Sequence, residues 1–223
     1  DEETFFEGIF NLPPGTNGFF DDKGFRKERY YSLPESIGRD GTFREHFDNS
    51  VKRRLIADVP VGSCLSGGLD SSAIVGQVAK DQSINTFSLV FPGEDIDESE
   101  YQQAVLEKWE DAKNASVSFT EDDIMEDLDD LIRTQEEPFI SLSMYGQYKV
   151  MELAKEYGMK VLLDGQGADE ILLGYHSAKG ILMLEQLKRL NPKFFFTVAK
   201  NRDVRALSAL GYSLFPKLAM QHY

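Results

Sequence analysis

The spacing of apolar side chains predicts that strands and helices alternate along most of the chain. Phe43, Phe47, Val51 and Leu55 recur at every fourth residue, which is typical of an amphipathic helix. Short apolar runs, each followed by a helical pattern, predict four strands at residues 59–65, 84–91, 116–119 and 161–163. Alternation of this kind favours an α/β fold, with a parallel sheet and helices on both faces.

The sequence also marks where some helices begin and end. Thr120 and Asp123 have the spacing of a capping box, which predicts the start of a helix, and Glu137-Pro138 predicts its end. A helical pattern at residues 144–157 precedes the fourth strand. After Gly174 the pattern is again helical and no further strand is evident. We therefore expect a helical C-terminal segment to follow the sheet.

Residues 1–40 differ in composition from the rest of the chain, because they are rich in Gly, Pro and aromatic residues. Residues 13–18 and 21–24 have the chemistry of turns, and residues 29–33 predict a short strand. Such a segment is typical of the edge of a β-rich unit. We therefore predict a boundary that separates it from a domain at residues 41–223.

Composition and charge narrow the classes of function. The 223 residues are 41% hydrophobic and 28% charged, and no run of about 18 apolar residues predicts a membrane span. The net charge of −14 opposes a nucleic-acid backbone, so we expect neither nucleic acid nor membrane as a partner. A single cysteine, without a signal-peptide pattern at the N-terminus, is typical of a cytoplasmic protein.

The sharpest chemical signal is Ser66-Gly67-Gly68-Leu69-Asp70-Ser71-Ser72, which follows a buried strand and opens a helix. In that position backbone N–H groups and the helix dipole attract an anion, and glycine lets the backbone approach it closely. The loop lacks the lysine of a Walker-type phosphate loop. Its N–H and hydroxyl donors instead suit a pyrophosphate group bound with Mg²⁺, the metal bridging Asp70 and phosphate oxygens.

A second polar loop, residues 164–170, follows the fourth strand. The carboxyl ends of parallel strands meet at one edge of a sheet, so we expect the two loops to face each other across the bound ligand. Asp169 in the second loop and Asp70 in the first would then share one Mg²⁺.

The first loop resembles the pyrophosphatase loop of the N-type ATP pyrophosphatases, in the form found in glutamine-dependent asparagine synthetases. Stretches similar to the same family are residues 87–93, 137–139 with 148–150, and 164–170 with Gly174-Tyr175. Residues 1–40 resemble the join between the family's glutaminase and synthetase domains. The resemblance therefore implies that residues 1–40 are a linker or the end of a glutaminase-type domain. Residues 41–223 would be an ATP-pyrophosphatase synthetase domain, truncated at its C-terminus.

The resemblance implies an ATP-dependent ligase that converts aspartate to asparagine. Such enzymes activate a carboxylate with ATP and Mg²⁺, release pyrophosphate, and let ammonia from a glutaminase domain displace AMP from the acyl-adenylate. The residues implied to bind the pyrophosphate are Ser66, Gly67, Gly68, Asp70, Ser71 and Ser72. Those implied to border the adenosine are Cys64, Leu65, Leu89, Asp164 and Gly165. Those implied to take part in the chemistry are Asp70, Gln166 and Asp169, with Asp70 and Asp169 as the Mg²⁺ ligands.

Three departures from the family pattern keep alternatives open. Gln166 stands where asparagine synthetases have glutamate, and a neutral amide cannot act as a general base. The only cysteine, Cys64, is not at the N-terminus, where the family has its glutaminase nucleophile. The chain also stops before the family's C-terminal lysine region, so we expect this chain alone to be inactive. The alternatives are the same chemistry on another acid, as in β-lactam synthetases or sugar-acid amidation, and a nucleotide-binding module without turnover. The sequence also leaves open whether the protein forms a homodimer.

Overall fold

The computed structural model describes residues 2–32, 40–139, 141–172 and 174–189, which form two sheets and a set of helices. The strands are β1 (Thr16–Asp21), β2 (Gly24–Arg29), β3 (Val61–Cys64), β4 (Ile84–Leu89), β5 (Ala112–Val117) and β6 (Val161–Leu163). The helices are α1 (Phe43–Arg54), α2 (Leu69–Val78), α3 (Ser99–Lys108), α4 (Glu121–Gln135), α5 (Ser143–Glu156), α6 (Ala168–Leu172) and α7 (His176–Lys188).

Four strands form the central sheet in the order β5-β4-β3-β6, and every neighbouring pair is parallel. Ser63 in β3 pairs with Thr86 of β4 on one side and with Leu163 of β6 on the other. From β3 the chain adds β4 and β5 on one side of the sheet and then returns to add β6 on the other side of β3. The loops after β3 and β6 leave neighbouring strands at the carboxyl edge, which is where parallel sheets of this class bind ligands.

Helices cover both faces of this sheet, and each face has its own apolar cluster. The cluster against α1, α2 and α3 includes Val51, Leu65, Val75, Val78 and Leu163. The cluster against α5 contains Cys64, Phe87, Val150 and Ala154. Cys64 and Leu65 are consecutive but belong to opposite clusters, because side chains alternate along an extended chain. The predicted fold class, a parallel sheet with helices on both faces, is confirmed.

One strand of the sheet lies several residues from its predicted position. The sequence pattern predicted it at residues 116–119, whereas β5 runs from Ala112 to Val117. The strand lies at the edge of the sheet, and Lys113 and Asn114 are exposed, so no apolar run marks where it begins. The other three predicted strands overlap β3, β4 and β6, and the bounds of β6 agree with the prediction.

The N-terminal residues contain an antiparallel hairpin of β1 and β2, and its connection lies at the turn predicted for residues 21–24. The strand predicted at residues 29–33 is wrong in its described part, because β2 ends at Arg29. The predicted boundary at residue 40 stays a prediction.

The helical pattern predicted after Gly174 is confirmed for α7. Its continuation lies outside the described residues. Within the ranges that the structure describes, no helix is long and apolar enough to cross a membrane.

Candidate functional site

The two polar loops line one cavity of ≈ 350 Å³ at the carboxyl edge of the sheet. The first loop contributes Ser66, Gly68, Asp70 and Ser71. The second loop contributes Asp164, Gly165, Gln166 and Asp169. The strand ends contribute Cys64, Leu65, Phe87 and Leu89. The structure therefore brings together residues that lie about 100 positions apart in the sequence and that the motifs singled out.

Hydrogen bonds within the first loop fix its shape at the start of α2. The hydroxyls of Ser66 and Ser71 are 3.0 Å apart, and the backbone N–H of Gly68 donates to Ser66 Oγ at 3.2 Å. Gly68 is the N-cap residue of α2 and no side chain caps this helix. An uncapped helix start at the edge of a cavity offers N–H groups and a positive dipole end to an anion.

Two of the predicted site residues in this motif, Gly67 and Ser72, do not line the cavity. Gly67 has a left-handed backbone with φ of +88°, and a Cβ there would lie 2.7 Å from Tyr101 Cβ and 2.8 Å from the backbone nitrogen of Gln102. Gly67 is thus required by its backbone conformation and by its contact with α3. Ser72 Oγ is buried and has no hydrogen-bond partner among the described residues. A direct role of Gly67 or Ser72 in ligand binding stays a prediction.

The second loop lies directly on the start of α2. A Cβ added to Gly165 would be 3.0 Å from Asp70 Cβ and 3.2 Å from the backbone nitrogen of Ser71. Asp164 is oriented from two sides, because Oδ1 accepts the N–H of Gly165 at 2.7 Å and Oδ2 accepts Gln147 Nε2 at 3.2 Å. Both carboxylate oxygens therefore have protein partners before any ligand binds.

Cys64 forms part of the apolar wall and is not equipped as a nucleophile. Burial, with a smaller contribution from the Asp164 carboxylate, raises the pKa of its thiol to about 11. Gln147 Nε2 lies 3.9 Å from the sulfur. The thiol therefore stays protonated at neutral pH, and a protonated buried cysteine is chemically inert.

The charge of the cavity lining is entirely negative among the described residues. Asp70, Glu98, Asp164 and Asp169 line it, and no Lys, Arg or His of the described chain does so. A polyphosphate placed against these carboxylates is repelled unless a cation accompanies it. A cation bound together with such a ligand would offset this repulsion.

The donor set of the cavity fits Mg²⁺ brought in with phosphates. Mg²⁺ is usually bound by one or two carboxylates, with phosphate oxygens and water completing its octahedral shell. Asp70 and Asp169 offer two carboxylates from two separate loops. In the described ranges no group of three or more His, Cys, Asp or Glu could hold a metal by itself. Two carboxylates match the number of protein ligands that Mg²⁺ usually takes when phosphate oxygens and water fill the rest of its shell.

The sequence patterns missed the contribution of α5 to the cavity. Ser143, Gly146, Gln147 and Val150 all line it and share one face of the helix. A Cβ at Gly146 would lie 2.8 Å from Leu89 Cδ2, so α5 approaches the end of β4 closely. Their spacing of three and four residues is the signal that could have found this face. The loop after β4 adds further lining residues: Phe91, Ile96 and Glu98.

A polar network attaches α5 to α4. The hydroxyl of Tyr145, a fully buried residue, donates to Asp127 Oδ2 at 2.6 Å. Lys149 Nζ donates to the same oxygen at 3.0 Å. The Tyr145 hydroxyl, followed by Lys149, lowers the pKa of the Asp127 carboxyl. This network holds the helix that carries Gln147.

Comparison with known proteins gives a consistent result. A family model described as asparagine synthase matches residues 42–220. A putative glutamine-hydrolysing asparagine synthetase 2 of Methanocaldococcus jannaschii is 32% identical over 213 residues, covering 90% of this chain and 40% of the relative. Asparagine synthetase 1 of Bacillus subtilis is 33% identical over 152 residues, covering 66% and 23%. Amidase chyE of Penicillium rubens is 26% identical over 215 residues, covering 83% and 31%. The chain thus spans less than half the length of these relatives.

Proposed function

Because the chain belongs to the asparagine synthase family, we propose that it binds ATP with Mg²⁺ and activates a carboxylic acid for amide formation. The observation that carries this proposal is the single cavity lined by loops from two neighbouring parallel strands. One loop offers N–H and hydroxyl donors, and the other offers two carboxylates and an amide.

Each part of the cavity has a role in this proposal. Ser66, Gly68 and Ser71 bind the pyrophosphate end through backbone N–H and hydroxyl groups. Asp70 and Asp169 hold Mg²⁺, which offsets phosphate charge when it is bound. The apolar wall takes the adenosine, and its members are Cys64, Leu65, Phe87 and Leu89.

The reaction we propose has two steps. A carboxylate oxygen of the acid attacks the α-phosphorus of ATP, the bond to the bridging oxygen of pyrophosphate breaks, and an acyl-adenylate forms. Ammonia then attacks the acyl carbon, the bond to AMP breaks, and the nitrogen loses a proton. The loop around Gly68 and Ser71 serves the first step by stabilising the leaving pyrophosphate. We propose that a glutaminase domain of the whole protein supplies the ammonia.

The acid substrate we propose is aspartate, with asparagine as the product. Two of the relatives named above are described as asparagine synthetases, and one is described as an amidase. Another carboxylic acid is the second candidate for the substrate, and the glutamine at position 166 favours it. An amide at this position donates and accepts hydrogen bonds but takes no proton from the attacking amine. The proton must therefore leave to water, phosphate or another residue.

Product analysis of the full-length protein tests the proposal. The protein is incubated with MgATP, ammonium and one acid from a panel that includes aspartate, and the nucleotides are separated by chromatography. We expect AMP and pyrophosphate to appear only with an accepted acid, and Asp70→Asn to abolish them. Asp130→Asn, on the exposed side of α4, serves as the matched control. Formation of ADP and phosphate as the sole products would overturn the proposal.

A further inference from the structure

Gly174 occupies a position where any larger residue would meet the side chain of Asp169. A Cβ added to Gly174 would lie 1.8 Å from Asp169 Oδ1 and 2.7 Å from Asp169 Cγ. Real Cβ atoms do not approach other atoms this closely, so the whole carboxyl group would have to move. The Asp169 carboxylate therefore lies in the space that the missing side chain of Gly174 leaves free.

The backbone reinforces this contact. The N–H of Gly174 donates to the carbonyl of Asp169 at 3.0 Å, which ties Gly174 to the short helix α6. The next residue, Tyr175, donates its hydroxyl to Glu170 Oε1 at 3.2 Å. Consecutive residues after α6 thus contact consecutive carboxylates within it. Of these two residues, Asp169 lines the cavity and Glu170 does not.

We propose that Gly174 is a positioning residue that holds the Asp169 carboxylate in its place at the cavity, where it can bind Mg²⁺. This inference rests on the proposed function only in naming Mg²⁺ as the ion that Asp169 binds. The contact between Gly174 and Asp169 is seen in the structure itself. Gly174 acts by being small and by its hydrogen bond to the Asp169 carbonyl, and it is not part of the cavity lining. Partners that orient a metal ligand typically change metal affinity by roughly 10- to 100-fold when they are altered.

A side chain at position 174 should therefore change the metal dependence of ligand binding rather than the fold as a whole. The side chain of Asp169 is short and can rotate. The methyl group of Gly174→Ala can therefore be accommodated if the carboxylate turns away from its present position. We expect this variant to melt close to the wild-type temperature. We expect it to need roughly tenfold more Mg²⁺ for half-maximal binding of ATP.

The test is a double-mutant cycle read by calorimetry on the full-length protein. ATP binding is titrated with Mg²⁺ for wild type, Gly174→Ala, Asp169→Ala and the double variant. If Gly174 acts through Asp169, Gly174→Ala needs more Mg²⁺ than wild type for half-maximal ATP binding. The double variant then needs the same Mg²⁺ concentration as Asp169→Ala alone. Tyr175→Phe, which removes only the hydroxyl bound to Glu170, is the matched control and should keep the wild-type requirement. Additive effects of the two substitutions overturn the proposal, as does a wild-type Mg²⁺ requirement in Gly174→Ala.

A crystal structure of Gly174→Ala separates this inference from the proposed function. The Asp169 carboxylate should be turned away from its wild-type position, whether or not ATP is present. An unchanged Asp169 overturns the positioning role regardless of what the cavity binds. ATP binding by wild type that does not depend on Mg²⁺ would instead refute the metal part of the proposed function.

Discussion

Gly165 and Asp70 touch across the two loops, since a Cβ on Gly165 would stand only 3.0 Å from Asp70 Cβ. The contact joins the loop after β6 to the first turn of α2. It fixes the spacing between the two sides of the cavity. Gly165 is thus required by proximity to another chain segment.

Gly165→Ala should weaken MgATP binding, because the added methyl group pushes the second loop away from α2. Overpacking of this kind costs ~1–3 kcal/mol, so we expect the Kd for MgATP to rise roughly tenfold. Isothermal titration calorimetry measures this change. Gly158→Ala is the control for the general cost of replacing a glycine, since Gly158 has nothing within 4 Å of the added Cβ and is not part of the cavity lining. Its left-handed backbone makes the alanine strained, so this variant should lose stability but keep the wild-type Kd for MgATP. Equal Kd values for wild type and Gly165→Ala would contradict the prediction.

Cys64 should react slowly with iodoacetamide in the folded protein. Its pKa is raised to about 11, so very little thiolate is present at pH 8. In urea the thiol regains an ordinary pKa of roughly 8.5 and should be alkylated quickly. The chain has one cysteine, so a single mass shift measured over time reports its modification. Similar rates in buffer and in urea would show that Cys64 is neither buried nor protonated as described.

Asp127→Ala should lower the free energy of unfolding by ~1–3 kcal/mol at pH 7, because it leaves the buried hydroxyl of Tyr145 without its acceptor. Urea unfolding followed by circular dichroism gives the value. Asp130→Ala is the control, since the Asp130 side chain is 71% exposed and its pairing with Arg133 at 3.8 Å contributes little.

The effect of Asp127 should also depend on pH in a defined direction. Its folded pKa is lowered, so the stabilisation by its carboxylate is fully present above the unfolded pKa of roughly 3.9. That stabilisation is lost as the pH falls through the folded value. The difference in the free energy of unfolding between wild type and Asp127→Ala should therefore become smaller as the pH falls from 4 to the acid limit of folding. A constant difference over that interval would mean that the charge of Asp127 has no part in the network.

Thr120→Ala should destabilise the protein by ~1 kcal/mol through loss of the cap of α4. The Thr120 hydroxyl accepts the N–H of Asp123 at 3.3 Å, and the Asp123 carboxylate accepts the N–H of Thr120 at 2.6 Å. Thermal unfolding measures the loss. Thr134→Ala, at an exposed position inside the same helix, is the matched control and should not destabilise. A neutral Thr120→Ala would indicate that the capping box does not contribute to stability.

Local chemistry made much of the fold and of the cavity predictable from the sequence. The capping box of Thr120 and Asp123 is confirmed, because its hydrogen bonds involve residues three positions apart. The meeting of the two loops follows from a general rule, since both follow parallel strands. Asp70 and Asp169 could therefore be assigned to the same edge without knowledge of the packing.

Features that depend on packing between distant segments were not predictable in this way. The polar edge strand β5 carries Lys113 and Asn114 where a buried strand would carry apolar residues. Gln147 donates to Asp164 because α5 packs close to the loop after β6, and helical periodicity alone does not fix that placement. Likewise, the sequence pattern alone does not show that Gly174 contacts Asp169.

The pairing of β3 with β6 has a consequence for how the protein is made. Ser63 Oγ donates to the carbonyl of Leu163, 100 positions further along the chain. At a synthesis rate of roughly 5–20 residues per second, the first loop leaves the ribosome about 5–20 seconds before the strand that completes its surroundings. During that interval one edge of β3 has no partner strand, and contacts of such long sequence separation form late in folding. A nucleotide that needs both loops can therefore stabilise only chains whose synthesis has passed β6.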